Sequence, residues 1–200
     1  MKYFGFSIEM IDHHVIVDEA LITYLKAHLK PERYKHSFNV AFLCYKIAEL
    51  NKLNDPLKYF FAGLIHDIGK YVDKIETDKI MKDNFASFVN LPDYSYHAFV
   101  GAYLAEKDLK INDKEILESI IYHTSGRENM SIMEKIVYAS DKIDPGRQYD
   151  SYDLILSMFN DYNKGFLDVL KANKDFLESK GIDSSDFLTL KCFKFYLGEK

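Results

Sequence analysis

Helical periodicity runs through almost every segment of this chain and limits its fold more than any other feature. Leu21, Leu25 and Leu29 recur at the spacing of one helix face, and residues 35–50 are apolar around most of a helix circumference. Only four Pro and nine Gly interrupt the 200 residues, and no strand-like alternation of apolar and polar residues lasts beyond a few positions. The pattern predicts an all-α fold of about eight helices around one core.

Helix start and stop signals divide the chain. Pro31 closes the first predicted helix, residues 54–56 begin the helix after the first core helix, and Asn112 heads a sequence that resembles a capping box. No linker or internal repeat is visible, so residues 18–200 are predicted to form a single domain after an extension of residues 1–17. The remaining helices are predicted over residues 80–89, 94–109, 132–143, 152–176 and 183–197.

The charge balance and the apolar runs exclude several classes of protein. There are 26 basic and 31 acidic side chains and a formal net charge of −5, whereas general binders of nucleic acid or anionic membranes carry a basic excess. The apolar run at residues 1–8 is too short for a signal-peptide core, and no other run approaches a membrane span. We therefore expect a cytoplasmic protein with neither nucleic acid nor membrane as a partner.

Histidine, not cysteine, supplies the candidate metal ligands. Cys44 and Cys192 support neither a disulfide framework nor a zinc ribbon, and we expect them to be buried apolar side chains. Three of the seven histidines lie in polar or amphipathic stretches and are expected to be incidental: His13, His14 and His28.

Side chains that bind metals recur on five successive predicted helices. Each borders an apolar helix face that must point to a core, where a buried imidazole or carboxylate is costly without a partner. A single histidine of this kind is more often a satisfied core residue. Five blocks together favour a metal centre, because helical bundles build metal sites from ligands on facing helices. The blocks contain His36, His66-Asp67, His97, His123 and Asp141.

The adjacent pair His66-Asp67 limits where an ion can lie. Neighbouring helix residues point about 100° apart, so both side chains reach one ion only near a helix end. The two oxygens of the Asp could also bridge two ions. Imidazole ligands argue against a pure Mg²⁺ or Ca²⁺ cage, since those ions prefer oxygen. Mixed imidazole and carboxylate ligands suit Fe, Mn, Co, Ni or Zn, and the pattern does not choose among them.

The order of these blocks on an all-α chain resembles the HD superfamily of metal-dependent phosphohydrolases, in its variant with two additional histidines. The flanking residues are similar to the YqeK group, and the similarity covers about residues 18–175. The resemblance implies an HD-type helical bundle that cleaves diadenosine tetraphosphate symmetrically into two ADP. Ser140 and Asp144 depart from the group, which usually has a second small or apolar residue and Glu there. The similar segments are residues 33–36, 63–70, 97–102, 121–126 and 135–147.

The resemblance also implies a divalent transition metal, with iron as the expected ion and Mn, Co, Ni or Zn as alternatives. His97 and His123 either bind a second metal together with Asp67 or donate hydrogen bonds to a phosphate. Asp67 would orient the attacking water or accept its proton, and these three residues are the implied catalytic set. The principal metal is implied to bind His36, His66, Asp67 and Asp141. The substrate is implied to contact Asp67, Lys70, His97, His123, Thr124, Asp141 and Arg147.

The sequence leaves other functions open. Lys70 follows a helix-ending Gly and is favourable at a helix C-terminus without any ligand, and Arg147 could be a solvated side chain. The implied partner is a dinucleoside polyphosphate, and a homodimer is left open. The alternatives are another HD-type nucleotide phosphohydrolase acting on a dNTP or a nucleoside monophosphate, a di-iron oxygenase, or a non-catalytic nucleotide-binding module.

Overall fold

Ten α-helices make up most of the part of the chain that this computed structural model describes. The described residues are 2–11, 14–147, 150–181 and 186–198, with the side chain of Tyr3 left aside. This architecture confirms the all-α prediction. The helices are α1 (Glu19–His28), α2 (Pro31–Leu50), α3 (Pro56–Ile65), α4 (Lys74–Asn84), α5 (Tyr96–Lys107), α6 (Lys114–Tyr122), α7 (Ile132–Lys142), α8 (Tyr152–Asn160), α9 (Tyr162–Ser179) and α10 (Phe187–Leu197).

The N-terminal residues form a small antiparallel sheet. Its strands are β1 (Lys2–Tyr3), β2 (Phe6–Ile11) and β3 (His14–Val17), in the order β1-β2-β3. Ile8, in β2, is completely buried in the main hydrophobic core. The sequence did not predict this sheet, because strands this short contain too few alternating residues to stand out from a helical pattern. The predicted domain boundary after residue 17 stays a prediction.

Asp18 joins this sheet to the helices. Its Oδ1 accepts a hydrogen bond from the backbone N–H of Ala20 at 2.9 Å and so caps α1. Its own backbone N–H donates to the carbonyl oxygen of Ser7 at 2.8 Å. The ring of Phe4 lies 5.9 Å from the ring of Phe61 in α3. The sheet is therefore held by hydrogen bonds at one end and by aromatic packing at the other.

Several predicted helix boundaries are wrong by a few residues. The helix predicted over residues 80–89 is α4 (Lys74–Asn84), which ends before Phe85. Pro31 begins α2 instead of closing α1, and its missing N–H is harmless at the first position of a helix. Asp113, not Asn112, caps α6. Its carboxylate accepts hydrogen bonds from the backbone N–H groups of Glu115 and Ile116. In the last two places the helix forms where predicted, and only its first residue differs.

Residues 152–176 are predicted as one helix, but the structure divides them into α8 and α9 at Asp161. The backbone of Asp161 is extended (φ −157°, ψ 108°), and its carboxylate accepts hydrogen bonds from two N–H groups in the first turn of α9. A Cβ on Gly165 would lie 2.5 Å from the backbone of Met158, so this glycine allows α9 to fold tightly onto α8. The helix start predicted at residues 183–185 lies outside the described residues.

Helices α2, α3 and α7 form the centre of the bundle. α2 packs along α3, α7 contacts both of them, and α6 and α9 lie against α7. Completely buried side chains fill the space between these helices, among them Ile47, Phe60, Leu64 and Val137. Among the described residues no helix is both long enough and apolar enough to cross a membrane. Because the inner faces of α2, α3 and α7 are buried, polar residues on those faces are withdrawn from water.

The two cysteines are buried and form no disulfide, as predicted. Burial raises the pKa of Cys44 and of Cys192 to about 12. At pH 8 only about one ten-thousandth of such a thiol is ionised, and the thiolate is the reactive form.

We expect neither thiol of the native protein to react with Ellman's reagent within minutes, and both to react in guanidinium chloride. Rapid reaction of the native protein would contradict this burial.

Candidate metal centre

The structure brings all five ligand-type blocks together at one end of the central helices. His36 lies on α2, and Asp141 lies near the end of α7. The pair His66-Asp67 follows the last residue of α3, His97 is in the first turn of α5, and His123 follows α6. His66, Asp67 and His123 are almost completely buried. Residues from five segments of the chain thus share one site, as the sequence predicts.

A close backbone contact between two glycines places His66-Asp67 beside α5. A Cβ on Gly69 would lie 2.3 Å from the carbonyl oxygen of His97 and 2.5 Å from the backbone nitrogen of Gly101. No Cβ at position 69 fits against the backbone of α5, so glycine is required at that position, where the turn after α3 crosses α5. The contact fixes the separation between Asp67 and His97.

The carboxylate of Asp67 lies at the centre of the site, and each of its oxygens faces a different group of residues. Oδ2 lies 3.4 Å from His66 Nε2 and 3.9 Å from His36 Nε2. Asp141 Oδ1 completes this side, 3.1 Å from His36 Nε2 and 3.9 Å from His66 Nε2. These are two imidazole nitrogens and two carboxylate oxygens around one small volume.

The other oxygen of Asp67 faces the two additional histidines. Oδ1 lies 3.2 Å from His97 Nε2 and 3.6 Å from His123 Nε2, and these two nitrogens are 3.2 Å apart. The hydroxyl of Thr124 lies 3.3 Å and 3.2 Å from the same nitrogens. Two groups of ligand atoms therefore meet at Asp67: His36, His66 and Asp67, and Asp67, His97 and His123.

Hydrogen bonds at the far side of each ring fix the histidine tautomers. The Nδ1 atoms of His66, His97 and His123 each lie 2.7 Å from a backbone carbonyl oxygen. His36 Nδ1 lies 2.6 Å from Asp144 Oδ2. A carbonyl or carboxylate oxygen accepts only, so Nδ1 carries the proton and donates. With Nδ1 protonated, Nε2 is the ring nitrogen that faces the site and can bind a metal through its lone pair, which is the arrangement of metal-binding histidines.

Two buried polar atoms at the centre lack any hydrogen-bond partner within the described structure. They are His66 Nε2 and Asp67 Oδ1. Both are acceptors when the ring is the Nδ1–H tautomer, and a buried acceptor without a donor is strongly unfavourable. The Nε2 atoms of His97 and His123 also face each other, 3.2 Å apart, with the hydroxyl of Thr124 within hydrogen-bond distance of both. Cations between these atoms would remove the repulsion, so the residues present fit metal ions, and the mixture of nitrogen and oxygen fits a transition metal.

The pKa directions agree with ionised carboxylates and a neutral His123. Burial alone would raise the pKa of Asp67, but the imidazoles of His66, His97 and His123 outweigh it and hold the pKa well below its ordinary value. Burial lowers the pKa of His123 to about 4. At neutral pH this ring is therefore unprotonated and its Nε2 can act as a ligand.

Asp144 orients His36 and is a functional candidate that the sequence interpretation noted only as a departure from the YqeK group. Its carboxylate accepts the hydrogen bond from His36 Nδ1, and Asn39 Nδ2 donates to its other oxygen at 2.8 Å. Burial lowers the pKa of His36, but its hydrogen bonds to Asp141 and Asp144 outweigh this and raise the pKa. The shorter Asp, where Glu is common in the group, still reaches the ring.

Four cationic side chains contact the ligand atoms. Arg147 Nη2 donates to Asp141 Oδ1 at 2.6 Å, and Lys142 Nζ donates to Asp141 Oδ2 at 2.9 Å. Arg33 Nη1 donates to Asp67 Oδ2 at 2.8 Å. Lys70 Nζ lies 3.4 Å from a ring nitrogen of His97, and burial lowers its pKa. The centre thus contains four cationic side chains and three carboxylates, which are those of Asp67, Asp141 and Asp144.

The structure places every predicted site residue at this centre, including Lys70, Thr124 and Arg147. The sequence interpretation missed Arg33 and Lys142 as site residues. Arg33 lies one turn before His36 on α2, and Lys142 directly follows Asp141, so their proximity to ligand residues was the available signal. Among the histidines expected to be incidental, His28 donates from Nδ1 to the carbonyl oxygen of its own helix turn and His14 lies exposed on β3, while His13 is outside the described residues.

The geometry agrees with what comparisons of sequence and structure show. The family model described as the HD domain matches residues 33–146, which include all the ligand-type residues described above. The chain belongs to the HD domain family. Membership implies divalent metal binding, in agreement with the two groups of ligand atoms around Asp67.

Curated relatives define the group within this family. The symmetrical bis(5'-nucleosyl)-tetraphosphatase of Staphylococcus aureus is 35% identical over 179 residues, which are 86% of this chain and 90% of the relative. The enzyme of the same name from Bacillus subtilis is 31% identical over 166 residues, 81% of this chain and 88% of the relative. These similarities confirm the resemblance to the HD superfamily and its YqeK group.

A solved structure shows the same fold. The crystal structure of a predicted HD superfamily hydrolase involved in NAD metabolism, from Clostridium acetobutylicum, superimposes with a TM-score of 0.76. The two chains share 29% sequence identity, and the match covers 91% of this chain and 97% of that chain. The prediction of an HD-type helical bundle is confirmed.

The glycine contact at α5 gives a direct stability test. Gly69→Ala would force a Cβ into the backbone of α5, and overpacking of this kind costs about 1–3 kcal/mol. We expect urea unfolding to show a loss at the upper end of that range. The control is Gly101→Ala on the other side of the same crossing, where crowding is much milder. Its Cβ would lie 3.3 Å from the Ile120 side chain and 3.4 Å from the backbone nitrogen of Gly69, and the higher helix propensity of Ala, about 1 kcal/mol, offsets these contacts. Equal stability of Gly69→Ala and wild type would contradict the close approach.

Proposed function

We propose that this protein hydrolyses the central phosphoanhydride of diadenosine tetraphosphate and releases two ADP. The observation that carries the proposal is the shared carboxylate of Asp67, with imidazole ligands on both sides and cations around them. The names of the curated relatives support the same reaction. A dinucleoside polyphosphate is the partner in this proposal, and a homodimer stays a prediction.

The proposed cofactor is a pair of divalent ions, with iron as the ion. The principal ion would be held by His36, His66, Asp67 and Asp141, and the second by Asp67, His97 and His123. Such ions act as Lewis acids on phosphate oxygens and lower the pKa of a bound water toward neutrality.

Local charge explains how an acidic protein takes a polyanion. The whole chain has a formal net charge of −5. Around the centre, the carboxylates of Asp67, Asp141 and Asp144 are offset by the four cations Arg33, Lys70, Lys142 and Arg147, so the protein side chains there sum to about +1 with neutral histidines. Divalent ions would make the site more positive still. Phosphoryl transfer depends mainly on neutralising charge and positioning the reactants, so this local excess favours the proposed substrate.

The cationic side chains have one role in the proposal, which is to neutralise the polyphosphate. Arg147 presents a planar guanidinium that can take two phosphate oxygens at once, and Lys70 and Lys142 act as point charges. Arg33 and Arg147 are now paired with the ligand carboxylates at 2.8 Å and 2.6 Å. Substrate phosphates would compete for these same donors, and Thr124 adds a hydroxyl beside His97.

Asp67, His97 and His123 form the proposed catalytic set. The pKa of Asp67 is held well below its ordinary value, so its carboxylate is a weak base and its role is to orient the attacking water. Because burial lowers the pKa of His123 to about 4, the ring is neutral near pH 7 and is suited to act as a ligand rather than an acid. These assignments require no proton transfer from a protein side chain to the departing ADP.

The reaction is tested by product analysis. Purified protein loaded with Fe²⁺ or Mn²⁺ should convert diadenosine tetraphosphate into ADP as the sole nucleotide product, resolved by ion-exchange chromatography. A panel of dNTPs and nucleoside monophosphates is run in parallel, together with oxygen-uptake measurements. Formation of ATP and AMP, turnover of another nucleotide alone, O₂-dependent consumption of substrate, or nucleotide binding without any product would each contradict the proposal.

Metal content of single variants tests the ligand assignment. Because Asp67 faces both groups of histidines, Asp67→Ala should lose both ions and lower kcat by at least about 100-fold. His66→Ala should lose the principal ion, and His123→Ala only the second. Elemental analysis of each purified variant gives the ratio of metal to protein. His66→Ala or Asp67→Ala with the metal content of wild type would show that the ligand assignment is wrong.

Asp144 provides a test that does not remove a ligand. Asp144→Ala deletes the acceptor of the His36 Nδ1–H hydrogen bond, and loss of such a partner lowers metal affinity by about 10- to 100-fold. Competition with a metal-binding dye measures the change. Asp144→Glu keeps an acceptor, and we expect it to recover most of the affinity. Equal affinity of Asp144→Ala and wild type would show that this hydrogen bond does not orient the ring.

A further inference from the structure

Lys142 contacts ligand residues from both groups around Asp67. It is the last residue of α7, and its side chain is only 16% exposed, against 39% for Arg147. Its Nζ lies 2.9 Å from Asp141 Oδ2 and 3.1 Å from the backbone carbonyl oxygen of His123. Asp141 belongs to the proposed ligands of the principal ion, and His123 belongs to those of the second. One ammonium group therefore joins a residue of each group.

On the side of the principal ion, Lys142 bonds the outer oxygen of the ligand. Asp141 Oδ1 lies 3.1 Å from His36 Nε2, whereas Lys142 donates to the opposite oxygen, Oδ2. Hydrogen bonds to the outer oxygen restrict rotation of the carboxylate, and metal-binding carboxylates are commonly oriented in this way. The ammonium thus helps to keep Oδ1 directed into the site.

On the side of the second ion, Lys142 bonds the backbone of the ligand. His123 directly follows α6, and the last carbonyl groups of a helix have no donor within the helix. Lys142 supplies a donor to this carbonyl, from a position 19 residues along the chain. The ring of the same histidine is fixed separately, because its Nδ1 donates to the carbonyl oxygen of Ile120 at 2.7 Å. Backbone and ring are therefore both restrained where Nε2 faces the centre.

An aromatic ring holds the ammonium between these two partners. Lys142 Nζ lies 4.7 Å from the centre of the Tyr138 ring, which is one turn earlier on α7 and almost completely buried. Asn173 Nδ2 of α9 donates to the hydroxyl of Tyr138 at 3.0 Å and so fixes the ring. A cation at this distance is attracted to the face of an aromatic ring. The position of the ammonium is thus set by α6, α7 and α9 together.

We propose that Lys142 is a positioning residue, which fixes Asp141 and His123 relative to each other and so couples the two ion positions. The proposal rests on the two-ion centre of the proposed function, and it adds a second connection to the one through Asp67. Lys142 does this without binding an ion, because an ammonium group has no free lone pair. An effect of its charge alone would have the opposite sign, since a positive charge repels a nearby metal ion.

Lys142→Met tests the sign of the effect. The substitution removes the charge and both hydrogen bonds but keeps an unbranched stem over the Tyr138 ring. Calorimetric titration of Mn²⁺ into metal-free protein should show both binding steps weakened by about 10- to 100-fold, the usual cost of losing a partner of a ligand. His123→Ala, which should keep only the first step, assigns the two steps. Lys142→Arg keeps the charge and several N–H donors, and should recover most of the affinity.

The matched control is Lys135→Met, which removes the same charge from the same helix. Lys135 Nζ donates to Asn163 Oδ1 at 3.0 Å and lies 5.7 Å from the centre of the Phe166 ring, and neither partner belongs to the metal centre. We expect both Mn²⁺ affinities of this variant to equal those of wild type. If Lys142→Met lacks the helical circular dichroism of wild type, Lys142→Gln replaces it, since its amide is too short to reach both acceptors and should weaken both steps.

Several results would overturn the proposal. Unchanged or tighter Mn²⁺ binding by the neutral variants would show that Lys142 acts through its charge alone. Weakening of a single step, or uptake of a single Mn²⁺ by wild type, would show that Lys142 does not couple two ion positions. If wild type binds two ions but fails to cleave the dinucleotide, the proposed reaction fails, whereas the Mn²⁺ titrations still decide on Lys142.

Discussion

A buried carboxylate shared between two groups of imidazoles is the constraint on which the rest of the structure depends. Asp67 is almost completely withdrawn from water, and its two oxygens face His66 on one side and His97 on the other. A buried charge persists only with partners, so the surrounding segments must all converge on it. The crossing of Gly69 and Gly101 makes room for that convergence, and carbonyl oxygens behind the rings fix which nitrogen faces the centre.

The charges around this carboxylate are layered. Ligand atoms lie innermost, and cations pair with their outer faces, as Arg147 and Lys142 do with Asp141. This layering gives a positive site within an acidic chain, which a count over the whole sequence cannot show. In the proposed function, the metal centre would supply positive charge for the phosphates.

The sequence predicted the helical fold and which histidine and aspartate side chains come together, because both depend on local signals. A histidine such as His97, which borders an apolar helix face, can be recognised as a candidate ligand from its own helix, without knowledge of the residues that pack against it. Long-range contacts are not visible in this way: His36 and Asp144 are separated by 108 positions and meet only because α2 and α7 pack together. The break at Asp161 was missed because a polar residue within a helical period is equally compatible with a solvent-facing position. The N-terminal strands are too short to show a period of their own.

The central claim is that Asp67 bridges two metal ions, and anomalous diffraction from crystals of the iron-loaded protein tests it most directly. Data collected on both sides of the iron absorption edge locate the ions independently of any activity. The account predicts two peaks, one on each side of the Asp67 carboxylate, the first among His36, His66 and Asp141 and the second beside His97 and His123. A single peak, or peaks that do not contact Asp67, would contradict it.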